Sequence, residues 1–266
     1  YGERPSVDVN NPTVRINLHI FHDEISFAID ASGDSLHRRG YRLEANEAPL
    51  NEAMAAGMLQ LTEWDGQTNF GDLMCGSGTV LIEAAHIAMN KAPGLGKRKF
   101  GFQNWKDFDL DLWLRLVDEA EAQVHPPKGI IFGSDNSGKS LEIAARNIER
   151  AGLKDLIKLE KLDFKDARSP EGGGLLVINP PYGERLEEDD HALDEFYKAL
   201  GDAFKQHWKG YEAWVLSGNL RSLKRLGLRP SKRVPLLNGA IDCRFNKYEL
   251  YGGSREKPKK QAAEEA

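Results

Sequence analysis

The chain has 266 residues, 40% of them hydrophobic and 29% charged, with a formal net charge of −5. That is enough for one large core plus a smaller appended piece, and the negative balance argues against a protein that coats nucleic acid through bulk positive charge. No window approaches the ~18 consecutive apolar residues of a membrane span, and the opening YGERPSVDVNNP carries neither a signal-peptide pattern nor an initiator Met, which points to a cytoplasmic protein and to a fragment of a longer one.

In chain order, residues 14–31 (VRINLHIFHDEISFAIDA) alternate apolar and polar side chains on both sides of His22-Asp23-Glu24 and predict a hairpin of two half-buried strands. Two strands alone are marginal, so this hairpin is expected to end a small domain, with SLHRRGYR as its link to the next segment. Residues 50–61 (LNEAMAAGMLQL) have helical spacing behind Pro49, a favourable helix start. From Thr68 onward strand-like and helical segments alternate. TNFGDLM leads to TVLIEAAHIAMNK, GIIFGSD to SGKSLEIAARNIERAGL, then come IKLEKLDF, LLVINPPY with DHALDEFYKALGDAFKQHW, and EAWVLSGN with a short helix near LRSLKRLG. This pattern predicts an α/β fold with a mostly parallel sheet covered on both faces. RPSKRVPLLNGAIDCRFNKYELY reads as two strands joined at Asn238-Gly239, so the sheet is expected to end in an antiparallel hairpin. The tail GGSREKPKKQAAEEA is polar and expected to be disordered. An insertion at residues 92–128 is basic and aromatic in KRKFGFQNW and helical around residues 112–124.

Chemistry concentrates at the strand ends. FGDLMCGSGT sets glycines at the turn after the first sheet strand, where an open α/β sheet binds ligands, but it matches neither the dinucleotide nor the phosphate-loop pattern. Asp72 there would repel a phosphate and suits an amino group or positive charge. Asp135, after the next strand, can accept from two ribose hydroxyls; Asp163, after the third, can accept from an adenine amine, with Phe164 packing on the ring. Each acid alone reads first as a helix cap or loop residue, yet three at successive strand ends describe a pocket for a nucleoside with a cationic or amino-bearing tail. In NPPY, Asn179 offers a side-chain acceptor, Pro181 fixes the chain so that the Pro180 carbonyl can face a ligand, and Tyr182 offers a stacking face worth roughly 1 to 3 kcal/mol. Two acceptors converging on one NH2 would hold an exocyclic base amine. Cys75 and Cys243 make neither a disulfide framework nor a zinc site, and Cys75 is read as a small loop residue rather than a nucleophile. His19, His22 and His86 are read as surface or packing residues, and no metal is expected.

DLMCGSGT, the acids at Asp135 and Asp163, NPPY and the final hairpin resemble a class I S-adenosylmethionine-dependent methyltransferase of the amino-group type, with a Rossmann-like fold. SLHRRGYR, APLNEAMAAGMLQL, DLMCGSGTVLIEAA, GFQNW, NPPYGERL and LNGAIDCRF together resemble the THUMP-containing guanine-N2-methyltransferases of 23S ribosomal RNA (RlmL-like), over nearly all of residues 14–251. The resemblance implies S-adenosylmethionine as cofactor, held by Asp72, Met74, Cys75, Gly76, Ser77, Gly78, Asp135, Asn136, Asp163, Phe164 and Asn179. It implies Asn179, Pro180, Pro181 and Tyr182 as the residues that hold the target base. Glu184 and Arg185 continue the family's NPPYGER and would shape that loop or touch RNA. Leu73 stands where the family usually has a proline, a change of turn rigidity more than of chemistry.

On this reading residues 1–45 are the C-terminal part of a THUMP-like RNA-binding domain and linker, 46–252 the methyltransferase domain, and 253–266 the tail. The partner is RNA, ribosomal RNA first, with phosphate contacts expected from Arg38, Arg39, Arg42, Lys97, Arg98, Lys99 and Arg185, and the insertion is expected to border the RNA channel. A further basic run, Lys224-Arg225, Arg229 and Lys232-Arg233, reads as solvated charge unless it shares a face with the others. NPPY alone is shared with adenine-N6 and protein glutamine methyltransferases. A transfer RNA guanine-N2 enzyme, an adenine-N6 enzyme and a non-catalytic RNA-binding or assembly factor therefore stand as alternatives.

Overall fold

The computed structural model describes residues 2, 7–9, 12–42, 50–95, 99–181 and 190–251. Its elements in chain order are β1 (Ile16–Phe21), β2 (Glu24–Ile29), α1 (Glu52–Leu61), β3 (Asn69–Asp72), α2 (Thr79–Ala88), a 3₁₀ turn (Gly101–Asn104), α3 (Leu110–Ala122), β4 (Ile131–Asp135) and α4 (Gly138–Arg150). Next come β5 (Ile157–Lys161), β6 (Gly174–Ile178), α5 (Asp190–His207), β7 (Tyr211–Ser217), a second 3₁₀ turn (Ser222–Leu226), β8 (Lys232–Asn238) and β9 (Ile241–Leu250).

The main sheet has the order β5-β4-β3-β6-β7-β9-β8. The first five strands pair in parallel and β9 runs antiparallel to both β7 and β8. The α/β fold with an antiparallel end is the Rossmann-like arrangement expected from the sequence. From β3 the chain winds outward through β4 to β5, then returns to lay β6 on the other side of β3. The carboxyl ends of β3 and β6 thus flank the point where the strand order reverses, the usual crevice for a ligand in an open α/β sheet.

Packing follows the pleat. In β6, Leu175, Leu176, Val177 and Ile178 are all buried. Val177 packs with Phe70, Leu81, Ile82 and Trp214 on the side of α1 and α2, whereas Leu176 and Ile178 join Tyr197, Leu200, Phe204 and Trp208 on the side of α5. Each such side chain contributes roughly 1.5 to 3 kcal/mol by leaving water, which is why a strand with no polar residue reads as central. Gly201 inside α5 has a packing cause: a Cβ there would collide with the carbonyl oxygen of Leu226, so its absence lets the second 3₁₀ turn lie directly on the helix.

The structure departs from expectation in the first hairpin and adds detail to α1 and the insertion. α1 is capped by Asn51, the residue before its start, whose side chain accepts from the N–H groups of Ala53 and Met54 at 2.9 and 3.2 Å; Pro49, expected just before the helix, lies outside the described residues. The β1-β2 strands are exposed at every position rather than half-buried. Their register puts Ile16, Leu18, Ile20, Ile25, Phe27 and Ile29 on one face, and no described element covers it. In the insertion, α3 buries no residue, and its loop is tied instead to the hairpin, Phe102 N–H donating to Ala31 O and Asn104 Nδ2 to Thr13 O. The polar tail expected to be disordered lies outside the described residues, apart from Tyr251 just before it.

Candidate active site

The three acids end or follow three adjacent strands. Asp72 closes β3 and is 2% exposed, with its Oδ1 accepting from Met74 N–H at 3.0 Å. Burial pushes its carboxyl up to about 7, against the lowering effect of that hydrogen bond and with the negative charge of Asp135 adding to the rise. One backbone donor is little solvation for a buried carboxylate, so a cation or amine beside it would be strongly favoured.

The loop after Asp72 is held from two sides. Cys75 N–H donates to Ser134 O at 3.0 Å, and Gly76 N–H donates to Asp135 Oδ2 at 2.9 Å. From below, Asn147 Nδ2 of α4 donates to Ser77 O at 3.0 Å. Gly78, at φ 79°, caps α2 in the left-handed region that favours glycine, and a Cβ there would press on Ala144 at 3.2 Å. Burial first, then Asp72 and Asp135, push the Cys75 thiol up, so it stays protonated and fits the reading of a small loop residue.

Asp135 ends β4 and already works within the fold: Oδ2 takes Gly76 N–H and Oδ1 takes Ser137 N–H, both at 2.9 Å. Its two oxygens offer about four acceptor positions, so capacity for two hydroxyls is left. Asn136 beside it is exposed on the rim. Asp163 follows β5 and its Oδ1 accepts from Lys165 N–H at 2.9 Å. Phe164 is 6% exposed, edge-on to Phe196 at 5.2 Å, so its ring belongs to the core under the crevice more than to the crevice itself.

Asn179 follows β6 next to β3. Its Oδ1 is buried and has no hydrogen-bond partner among the described residues. An unmet buried acceptor is costly, and at a strand end beside a ligand crevice it marks a place for a donor from outside the fold. Pro180 is buried; the carbonyl of Pro181 accepts from the hydroxyl of Tyr197 at 3.3 Å, and the same hydroxyl shares a 2.7 Å bond with Ser217 Oγ. Tyr182, Glu184 and Arg185 lie outside the described residues.

Two of the expected RNA contacts are corrected. Arg39 and Arg42 do not face solvent: Arg39 Nε lies 3.6 Å from Glu83 Oε1, and Arg42 Nε lies 3.5 Å from Glu52 Oε1, with both guanidinium side chains largely buried. Arg42 Nη2 also donates to Leu50 O and Thr79 Oγ1, each at 2.7 Å, and Tyr41 OH donates to Glu83 at 2.9 Å. The basic strap is therefore bolted onto α1 and α2 by buried acids. Arg38 and Lys99 are exposed, and Lys97 and Arg98 lie outside the described residues. The sequence carried one unread signal of this network, Glu83 alone among apolar neighbours in TVLIEAAHIA. Tyr197 was missed as well, because α5's spacing marks that position as core without saying what its hydroxyl meets.

The family model described as UPF0020, RMKL-like, methyltransferase domain, matches residues 39–247. A Synechocystis protein, slr0064, named provisionally as an RNA methyltransferase, is 41% identical over 94% of this chain and 65% of its own length. The ribosomal RNA large subunit methyltransferase K/L of a Marinomonas species is 41% identical over 95% of this chain and 36% of its own length. The chain thus spans less than two thirds of either relative. Among solved structures, that of SMU.472, named provisionally as a methyltransferase and complexed with SAH, superposes with a TM-score of 0.82 at 36% identity, covering 93% of this chain and 64% of that one.

Proposed function

The chain belongs to the RMKL-like methyltransferase domain family, and from that premise we propose that it methylates the exocyclic N2 amine of a guanine in large-subunit ribosomal RNA, with S-adenosylmethionine as donor. The observation that carries the reading is the buried, unmet Oδ1 of Asn179 at the end of β6, across the crevice from the three acids. The ribosomal RNA named for the K/L relative and the SAH bound to SMU.472 support substrate class and donor. The choice of guanine over adenine rests on NPPYGER and SLHRRGYR in the sequence.

The residues present fit such a donor. Asp72, sparsely solvated, would face its amino-bearing end beside the loop of Met74, Cys75, Gly76, Ser77 and Gly78; Asp135 with Asn136 would take the ribose; Asp163 would take the adenine amine, with Phe164 beneath it. When bound, the donor supplies an electrophilic methyl group on a sulfonium. The chain's own contribution is placement. Asn179 Oδ1 accepts an N–H of the base amine, which draws the nitrogen's lone pair out of conjugation with the ring, and Pro180 and Pro181 fix the backbone around it. Tyr182 stacks the base. Positioning of this kind is worth roughly 7 to 11 kcal/mol of barrier, and the amine's proton is lost to solvent without a strong base. A base taken out of structured RNA costs a few kcal/mol, which phosphate contacts offset.

The uncovered apolar face of β1-β2 supports reading residues 1–45 as the end of a THUMP-like RNA-binding domain, before a methyltransferase domain at 46–252. A cytoplasmic enzyme acting on ribosomal RNA follows from the same reading. Nucleoside mass spectrometry of ribosomal RNA from cells with and without the full-length gene tests it: N2-methylguanine should fall in the large subunit of the deletion strain, and unchanged levels there would refute the substrate. Calorimetry with S-adenosylmethionine separates the enzyme from a non-catalytic RNA-binding factor, which would give no heat.

A further inference from the structure

We propose that the second 3₁₀ turn and its flanks form a phosphate-binding platform for RNA on the rim of the site, an inference that rests on the RNA substrate proposed above. Residues 221–233 read RSLKRLGLRPSKR and carry Arg221, Lys224, Arg225, Arg229, Lys232 and Arg233 without a single acid, in a chain whose net charge is −5. Folding sorts this run. Ser222, Leu223 and Leu226 are buried, and Gly201 allows the turn to seat on α5, so Arg221, Lys224 and Arg225 all point outward. Arg229 just beyond is exposed too, while Lys232 is drawn to Glu63 at 3.0 Å and is left out of the platform.

The turn stands beside the site. Tyr197 ties Pro181 to Ser217 at the carboxyl end of β7; Ser217 Oγ takes Asn219 N–H at 3.0 Å; and Asn219 Oδ1 caps Ser222 N–H at 2.9 Å. A relay of hydrogen bonds therefore leads from the Asn179 end of β6 to the basic turn.

Its cations are also preset. Asp194 of α5 reaches up between them, with Arg225 Nε at 2.9 Å, Arg221 Nη2 at 3.3 Å and Ser222 Oγ at 3.1 Å. Lys224 and Arg229 add two exposed cations beside this braced pair. The Arg225 guanidinium has five N–H donors, and the brace engages the one on Nε. The two side chains remain 58% and 55% exposed although they are anchored. Long side chains held in advance lose less freedom when they meet a ligand, and a planar guanidinium fork matches two phosphate oxygens. The strap that the sequence offered for this task has spent Arg39 and Arg42 on Glu83 and Glu52, so among the described residues the turn is the densest run of outward-facing cations.

The test compares wild type with the double variant Arg221→Gln and Lys224→Gln, leaving Arg225 to keep Asp194 paired. Fluorescence anisotropy follows binding of fluorescein-labelled poly(U) over a salt series, and calorimetry follows binding of S-adenosylhomocysteine to the same samples. The expected result is about tenfold weaker RNA binding at low salt and a log–log salt slope shallower by about 0.7 for each phosphate no longer neutralised, with S-adenosylhomocysteine affinity unchanged. Equal affinity and slope in the variant overturn the platform and leave the RNA reading standing. A wild-type protein that binds S-adenosylhomocysteine but no RNA overturns both. If the double variant does not fold, Lys224→Gln alone, at an exposed position, should still reduce affinity and slope, and no change there counts against the platform.

Discussion

The hydroxyl of Tyr197 donates to the carbonyl of Pro181 at 3.3 Å and shares a 2.7 Å hydrogen bond with Ser217 Oγ, at a position where the tyrosine is fully buried. A helix on one face of the sheet thus fixes the backbone two residues beyond Asn179. Tyr197→Phe keeps the ring but takes the donor from the Pro181 carbonyl and the hydrogen-bond partner from the buried Ser217 hydroxyl, which should cost about 1 to 3 kcal/mol of stability. Its effect on catalysis should pass through the strand end: kcat falls while S-adenosylhomocysteine affinity holds, and the drop nearly vanishes in an Asn179→Ala background. Additive effects in the double variant would show that Tyr197 acts elsewhere.

Asn179→Ala removes the unmet acceptor. Methyl transfer should fall by about a hundredfold or more, the scale seen when one aligned polar group facing the reacting atoms is removed, while titration calorimetry should find cofactor affinity nearly intact. Because the acceptor has no partner within the described fold, the variant should melt no lower than wild type. A large drop in thermal stability would mean that the amide is structural.

Asp135→Ala should act at the other step. It removes the expected ribose contact and also frees the N–H groups of Gly76 and Ser137, loosening the loop as well as the pocket. Cofactor affinity should weaken by about tenfold or more, consistent with hydrogen bonds to a charged group at about 1.5 to 3 kcal/mol each. An unchanged dissociation constant would take Asp135 out of the site.

Asp72 predicts a pH effect of defined sign. Its folded carboxyl is pushed up to about 7 by burial, whereas in the unfolded chain it titrates in the ordinary carboxylate range near 4. Between those values the folded protein holds a proton that the unfolded chain has released, so this group's contribution is full at the acid end and is lost as pH rises through about 7. Melting curves of cofactor-free protein should show wild type losing stability across that window relative to Asp72→Asn, which cannot ionise. A difference between the two that is flat with pH would contradict the assignment. A cationic ligand group at Asp72 would reverse the preference, and its binding near neutral pH should release protons that calorimetry in buffers of different ionisation heat can count.

The α/β alternation, the terminal hairpin and the four polar residues at strand ends were legible in the sequence for one reason. In a parallel sheet every strand finishes on the same edge, so a polar residue closing each apolar run must share that edge with the others. Arg39 and Arg42 were misread because spacing along a strap cannot tell that Glu83 and Glu52, elsewhere along the chain, wait beneath it. The β1-β2 pattern correctly gave the face that wants cover, as the register of Leu18 opposite Phe27 confirms, but a pattern carries no information on whether a cover is present. Tyr197 sat in a readable helix, yet a hydroxyl's partner is a tertiary fact.

The pairing of β3 with β6, Asn69 opposite Gly174, closes a loop of roughly a hundred residues, a costly long-range contact to form in a folding chain. Asp72, Asp135 and Asp163 are all synthesised before the strand that completes their crevice. No length of chain that stops short of Asn179 can bring the acceptor to the three acids. The crevice is therefore complete only after the chain has been made through β6 and that strand lies between β3 and β7.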